Sequence, residues 1–213
     1  MGTKERRDRE RQELRKKILD AARELFVEQG YEAVTMRKIA QAIEYSPTAI
    51  YLHFKDKMAV MRALCDQDYL ALAKRFRKIA AVADPIERLR QTGLAYAEFG
   101  FKHPNHYQWM FMTLHPHNEP EDSALEQGNP EEDVYAFLKW TVGQAIAEGR
   151  LRPELSDVEL VSQVIWSGVH GVVSLRIAKS KDAWVDWKPE RKAVAEMVEV
   201  LVRGVLRQPA ERS

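Results

Sequence analysis

Cysteine occurs once in the chain, at Cys65, so no disulfide can form within it, and that usage fits a reducing compartment. Long apolar runs are also missing. No stretch without a charged side chain exceeds sixteen residues, and the one at 160–175 includes Gln163, His170 and two glycines. As a helix it would reach ~24 Å at ~1.5 Å per residue, short of the ~30 Å hydrocarbon layer. The first residues are charge-dense where a secretory leader would be apolar. These absences predict a cytoplasmic protein with no membrane partner. A nucleophile elbow, a glycine-rich phosphate loop and an HExxH pair are absent too, so the expectation is of no enzyme and no cofactor.

Excess charge of one sign is lacking overall, with 33 Lys and Arg against 32 Asp and Glu. Along the chain the balance is uneven. Residues 1–17 carry eight basic against four acidic side chains, whereas 117–133 carry seven acids and no Lys or Arg. A basic N-terminal end is the part that suits a polyanion.

What the sequence does have is helical periodicity. Leu14, Ile18, Ala21 and Leu25 fall on one stripe, and Gly30 follows where a left-handed cap would end that helix. Thr35 can cap a second, short helix with Ile39, Ala40 and Ile43 inward. Ser46-Pro47 reads as an N-cap followed by a first-turn proline, because proline lacks an N–H that would be unpaired there. Asp56 can cap a fourth helix. Asp84-Pro85 repeats the cap-and-proline pattern and opens a helix to about His103, which Pro104 interrupts. Asn129-Pro130, Ser156 and Pro189 are the expected starts of three more helices. No alternating β-branched run stands out. The fold class expected is all-α, with a helix-turn-helix domain over 1–58 and a larger helical regulatory domain over 59–213.

Residues 35–57 (TMRKIAQAIEYSPTAIYLHFKDK) are the most informative stretch. In a helix-turn-helix the second helix enters the major groove with its N-terminal residues at base edges. Pro47 and Thr48 lie four and three residues before Tyr51 and share its face, while Ile50 turns away into the core. Arg37, Lys38, His53, Lys55 and Lys57 flank this surface, as phosphate anchoring requires. Phe54 is expected to pack inward.

Residues 18–64 resemble the DNA-binding domain of the tetracycline-repressor (TetR) family through their Ala-x-x-Leu-Phe, Gly-Tyr, Ile-Ala, Ile-Tyr-x-His-Phe and Lys-x-Lys elements taken together. The resemblance implies a homodimeric repressor that binds a palindromic double-stranded DNA operator and is released by a small-molecule effector. It also implies that Thr35 approaches phosphate and Arg37 a base. Pro47, Thr48 and Ala49 would take reading positions, and Tyr51, His53 and Lys57 would contact the backbone. Where the family often has Ala-Gly-Val-Ser at the turn, this chain has Ile43-Glu44-Tyr45-Ser46. A glutamate at positive φ would cost up to ~1 kcal/mol relative to glycine.

Other segments keep two readings. The arm Lys4–Lys17 is either a basic extension onto DNA or a solvated helix whose mixed charges pair at i,i+4. Trp166-Ser-Gly-Val-His170-Gly171 is similar to C-terminal domains of the family that carry a Trp-His-Gly signature. Val161, Val164, Gly168, Val172 and Leu175, with Val198, Leu201 and Val205 on the last helix, suggest a dimer seam; burial within one chain is the alternative. Tyr96, Phe99, Trp109, Met110, Phe137, Trp140, Trp166 and His170 are candidates for an apolar effector pocket, against plain core packing. His103, His106, His115 and His117 have HxxH and HxH spacings compatible with a metal-responsive regulator or metal-dependent enzyme. Because no cysteine joins them and prolines interrupt the segment, helix-end histidines are preferred and no metal site is assigned.

Overall fold

In the computed structural model, residues 3–112 and 128–207 are described. Among these the chain is all-α: nine helices and one isolated antiparallel bridge, Leu151 to Leu206. It divides into two compact units, Met1–Asp68 and Tyr69–Ser213. α4 (Lys57–Ile79) supplies residues to both, and the boundary foreseen after residue 58 falls in its first turn.

The first unit begins with α1 (Thr3–Gln29), followed by α2 (Met36–Ala42) and α3 (Pro47–Tyr51). The arm is therefore helical from Thr3, and Arg6 pairs with Glu10 and Lys16 with Asp20 at i,i+4. Ile18, Leu19, Ala22 and Phe26 form the buried face of α1. Leu14 and Leu25 are only half-buried, so the stripe is rotated by about one residue from the expected one. Val34, Ile39, Ala40, Ile50 and Phe54 add to the buried set. Arg23 fixes α1 to the α4 segment of this unit through two 2.8 Å hydrogen bonds to the Asp68 carboxylate.

The second unit contains α5 (Pro85–Lys102), α6 (Pro104–Met112), α7 (Val134–Ala147), α8 (Val158–Lys179) and α9 (Glu190–Val205). α5 is central and packs on all four of the others. Gly100 permits this crowding, since a Cβ there would stand 2.5 Å from Val173 and 2.9 Å from Tyr107. Arg88, though buried, is fully engaged: it donates to the Val82 carbonyl and to Gln144, and its guanidinium lies 4.3 Å from the Trp140 ring centroid.

Two helix starts differ from expectation. Asn129 does not open a helix. Its carbonyl accepts from Glu132 and Asp133, its side chain from Glu131, and the cap of α7 is Asp133. α8 is capped by Asp157 and not Ser156. A carboxylate accepts the two N–H bonds of a first turn better than a hydroxyl does.

α8 is, among the described residues, the one helix long and apolar enough to cross a bilayer. Its faces are distinct, however. Val161, Ile165, Val169 and Val173 are buried against the unit's own core, as are Val198 and Val205 of α9. Gly168 accommodates Leu201 of the same chain, whose Cδ atoms would lie 2.8 Å from an added Cβ. Val161, Val198 and Val205 are thus intrachain packing positions, which corrects their assignment to a dimer seam, while Gly168 and Leu201 pack on each other and stay half-buried. Val172 is half-buried beside that core. Leu160, Val164, Leu175 and Val200 remain exposed, and a Cβ at Gly171 or Gly204 would meet nothing within 4 Å.

Candidate functional site

Local chemistry builds the α2–α3 unit. The Thr35 hydroxyl accepts from the Lys38 N–H at 3.2 Å, and the Ser46 hydroxyl from the Ala49 N–H at 3.2 Å, with Pro47 in the first turn. Between the helices Glu44 adopts φ +58°, the only non-glycine residue with positive φ among the described residues. Tyr45 N–H returns to the Ala40 carbonyl and Glu44 N–H to that of Gln41. This is the paired 6→1 and 5→2 closure that normally takes glycine at its left-handed position. The strain anticipated for Glu44 is present.

These caps present one face outward. Thr35, Arg37, Pro47 and Thr48 are exposed, Ala49 and His53 half-buried, and Tyr51 is 53 % and Leu52 74 % exposed. Ile50 and Phe54, on the other side, are buried at 0 % and 4 %. A five-residue helix with one anchored isoleucine thus holds a proline, a threonine, a tyrosine and a leucine in water. Sequence reasoning passed over Leu52. The alternation of buried Ile50 and Phe54 around it was the available signal.

Cations surround this face, some of them already committed. Arg15 lies 4.3 Å from the Phe54 ring centroid. Burial, reinforced by Arg11 and Arg15, lowers the pKa of His53, so its imidazole is neutral near pH 7. The Lys57 ammonium donates to the Tyr31 carbonyl at 2.7 Å and lies 4.1 Å from the Tyr31 ring centroid. Its first role is to tie the α1–α2 connection to the start of α4, leaving part of its hydrogen-bonding capacity for a phosphate.

The second unit holds a partly open cavity of about 130 Å³. Of the residues foreseen for a pocket, Tyr96 and Trp166 line it. Phe99 and Phe137 are core residues, and Trp140 is half-buried and covered by Arg88. Trp109 and Met110 sit half-buried on α6 outside the lining. The missed wall residues include Tyr69 and Phe76 from α4, Leu89 and Thr92 from α5, Leu138 from α7 and Val169 from α8. They come from distant segments and share no sequence pattern.

A hydrogen-bond relay runs beside this wall. Trp166 Nε1–H donates to Tyr96 Oη at 2.9 Å and Tyr96 to Tyr107 Oη at 2.9 Å, and Tyr107 Oη lies 2.6 Å from His170 Nδ1, which accepts its proton in the Nε2–H tautomer. Only a neutral imidazole offers Nδ1 as acceptor, and burial lowers the pKa of His170 accordingly. Burial also raises Tyr96 to about 12. Trp166 and His170 thus meet through two tyrosines, and Tyr96, itself part of the wall, also stands 3.4 Å from His170 Nδ1. His103 and His106 stack their rings, centroids 6.1 Å apart; His115 and His117 lie outside the described residues. Nothing in the comparisons below supports the metal-responsive alternative.

Residues 18–64 match the family described as bacterial regulatory proteins, tetR family, and residues 89–204 match the tetracyclin repressor-like C-terminal domain. The chain is 29 % identical over 143 residues to the HTH-type transcriptional repressor AcnR of Corynebacterium efficiens, a match covering 67 % of this chain and 64 % of that protein. The matches to the next two curated relatives cover less than half of those proteins. Among solved structures, a TetR/AcrR-family regulator from Thermobifida fusca superposes with a TM-score of 0.68 at 22 % identity, covering 92 % of this chain and 100 % of the other. FadR of Bacillus subtilis, solved in complex with stearoyl-CoA, gives 0.68 at 21 % identity, covering 88 % and 97 %. At such identities these structures speak for the fold alone. With a reading unit at the N-terminal end and more than half of its length matched by the C-terminal profile, the chain belongs to the TetR family.

Proposed function

We propose that this chain is a sequence-specific DNA-binding transcriptional regulator, a cytoplasmic homodimeric repressor that leaves its palindromic operator when a small, largely apolar molecule occupies the cavity. The observation that carries the reading is the α2–α3 face: Pro47, Thr48 and Tyr51 stand in water while Ile50 and Phe54 anchor them from behind. On DNA, Pro47, Thr48 and Ala49 meet base edges and thymine methyls, and Arg37 reaches a base. Thr35, Tyr51, His53 and Lys57 address the backbone, His53 as a neutral donor.

The partner face we assign is the stripe of exposed Leu160, Val164 and Leu175 with half-buried Gly171 on α8, together with exposed Val200 and Gly204 of α9. These α8 positions lie within about 60° on a helix turning ~100° per residue. Pairing them across a two-fold axis gives a four-helix interface, which supports a protein seam over a membrane for this apolar helix. The two reading heads must then match half-sites ~34–36 Å apart. An effector releases DNA only if it binds the released geometry more tightly than the operator-bound one.

Selection of bound fragments from genomic DNA, followed by footprinting, tests the proposal. A recurrent palindrome occupied by two protomers is expected. A folded dimer that enriches no sequence at low salt would remove the reading.

A further inference from the structure

The chemistry of the cavity wall says more about its guest than the fold does. The wall polar groups with resolved contacts are engaged by the protein itself. Tyr69 Oη donates to Asp133 at 3.2 Å, Tyr135 Oη to Glu159 at 2.5 Å, and Thr92 Oγ1 to the Arg88 carbonyl at 2.7 Å. Trp166 N–H is held by Tyr96, whose own proton goes to Tyr107.

Among the described residues no Lys, Arg or His is part of the wall, and its Tyr69 and Tyr135 hydroxyls are backed by the carboxyl groups of Asp133 and Glu159. Lys139, the nearby cation, pairs with Glu159 at 3.2 Å. An anion placed here would lose its hydration and gain neither a cation nor an available donor, a cost far above that of a neutral guest. Tyr96 Oη, with one lone pair on Trp166 and its proton on Tyr107, keeps a second lone pair, so the wall can accept a hydrogen but has none to give.

Size points the same way. The cavity of about 130 Å³ is close to the engineered ~150 Å³ apolar cavity that stays dry and binds benzene. It lies well below the ~300 Å³ lower end of ordinary ligand pockets.

We infer that the guest is a compact, uncharged, apolar molecule, one aromatic ring or an aliphatic group of that bulk with at most one hydroxyl, and that carboxylates and coenzyme A thioesters are excluded. The inference rests on this cavity being the effector site. It separates the chain from the fold neighbour that holds stearoyl-CoA.

The test titrates the full-length protein with toluene, benzyl alcohol, benzoate and octanoyl-CoA, reading the indole N–H resonance of Trp166 and the release of selected DNA. Toluene and benzyl alcohol should shift the Trp166 signal to saturation and release DNA, with benzoate and octanoyl-CoA at least tenfold weaker. Leu138→Phe, which fills the cavity, should weaken the neutral probes at least tenfold; the wild-type titration decides alone if that variant does not fold. Benzoate or octanoyl-CoA binding as tightly as toluene would overturn the inferred class and leave the cavity as effector site. Silence of Trp166 toward all four probes would overturn both.

Discussion

The α2–α3 face and the α5–α8 cavity handle polar and apolar groups in opposite ways. On the face, Tyr51 and Leu52 stay in water and Arg37 is exposed. Around the cavity, Trp166, Tyr96, Tyr107 and His170 complete one another. Exposure with rigid anchoring marks a surface that recognises a large, polar, charged partner. Internal saturation suits the small apolar guest we propose for the cavity. The difference teaches how one fold could keep the two proposed recognition tasks apart, by where it leaves hydrogen bonds unmade.

The strongest way to break this contrast is to exchange anchor and reader on one helix. Ile50→Ala should cost ~2–5 kcal/mol, the usual range for truncating a buried isoleucine, and lower the melting temperature. Tyr51→Ala, one residue on, should leave stability within ~0.5 kcal/mol while weakening operator binding by at least tenfold. Melting curves and mobility shifts on the same preparations check both.

The relay comes next. Tyr107→Phe removes the donor to His170 and the acceptor for Tyr96, leaving buried groups unpaired at a cost of ~1–3 kcal/mol, measurable by urea denaturation. His170 also gives a pH test. Its folded pKa is lowered, so the folded state favours the neutral ring. Its contribution is present above the unfolded value near 6.5 and is lost as pH falls from there toward the lower folded value. His170→Asn keeps an acceptor and cannot titrate, so its melting temperature should decline less than wild type between pH 7 and 5.5.

Smaller effects sharpen the DNA side. Lys57→Ala should lower the salt dependence of DNA binding by about one unit if its ammonium also meets a phosphate; an unchanged slope would confine it to holding the Tyr31 carbonyl. Glu44→Gly relieves the left-handed strain and should gain up to ~1 kcal/mol. Removing a carboxylate beside the reading helix should also tighten DNA binding modestly.

Much of the first unit was legible because its signals are local. Thr35, Ser46-Pro47 and Asp56 announce caps through side-chain chemistry that acts within three residues, and Asp56 does accept from the Ala59 N–H at 2.7 Å. The rest needed tertiary knowledge. α8 is apolar on nearly every side, so periodicity could not tell Val161, Ile165 and Val169 from Leu160 and Val164; packing against α5 and α9 chose the first set. Asn129-Pro130 looked like a helix start because a turn and a cap use the same residue types. The cavity wall joins residues from five helices, and aromatic content alone could not separate Tyr96 and Trp166 from Phe99, Phe137 and Trp140.

Backbone hydrogen exchange of the full-length protein with and without its selected operator reads the central claim most directly. DNA should slow exchange across Thr35–Lys55, and the amides of α8 and α9 should already be protected in the free dimer. Equal exchange at Thr35–Lys55 in both states, with protection appearing elsewhere on the chain, would contradict it.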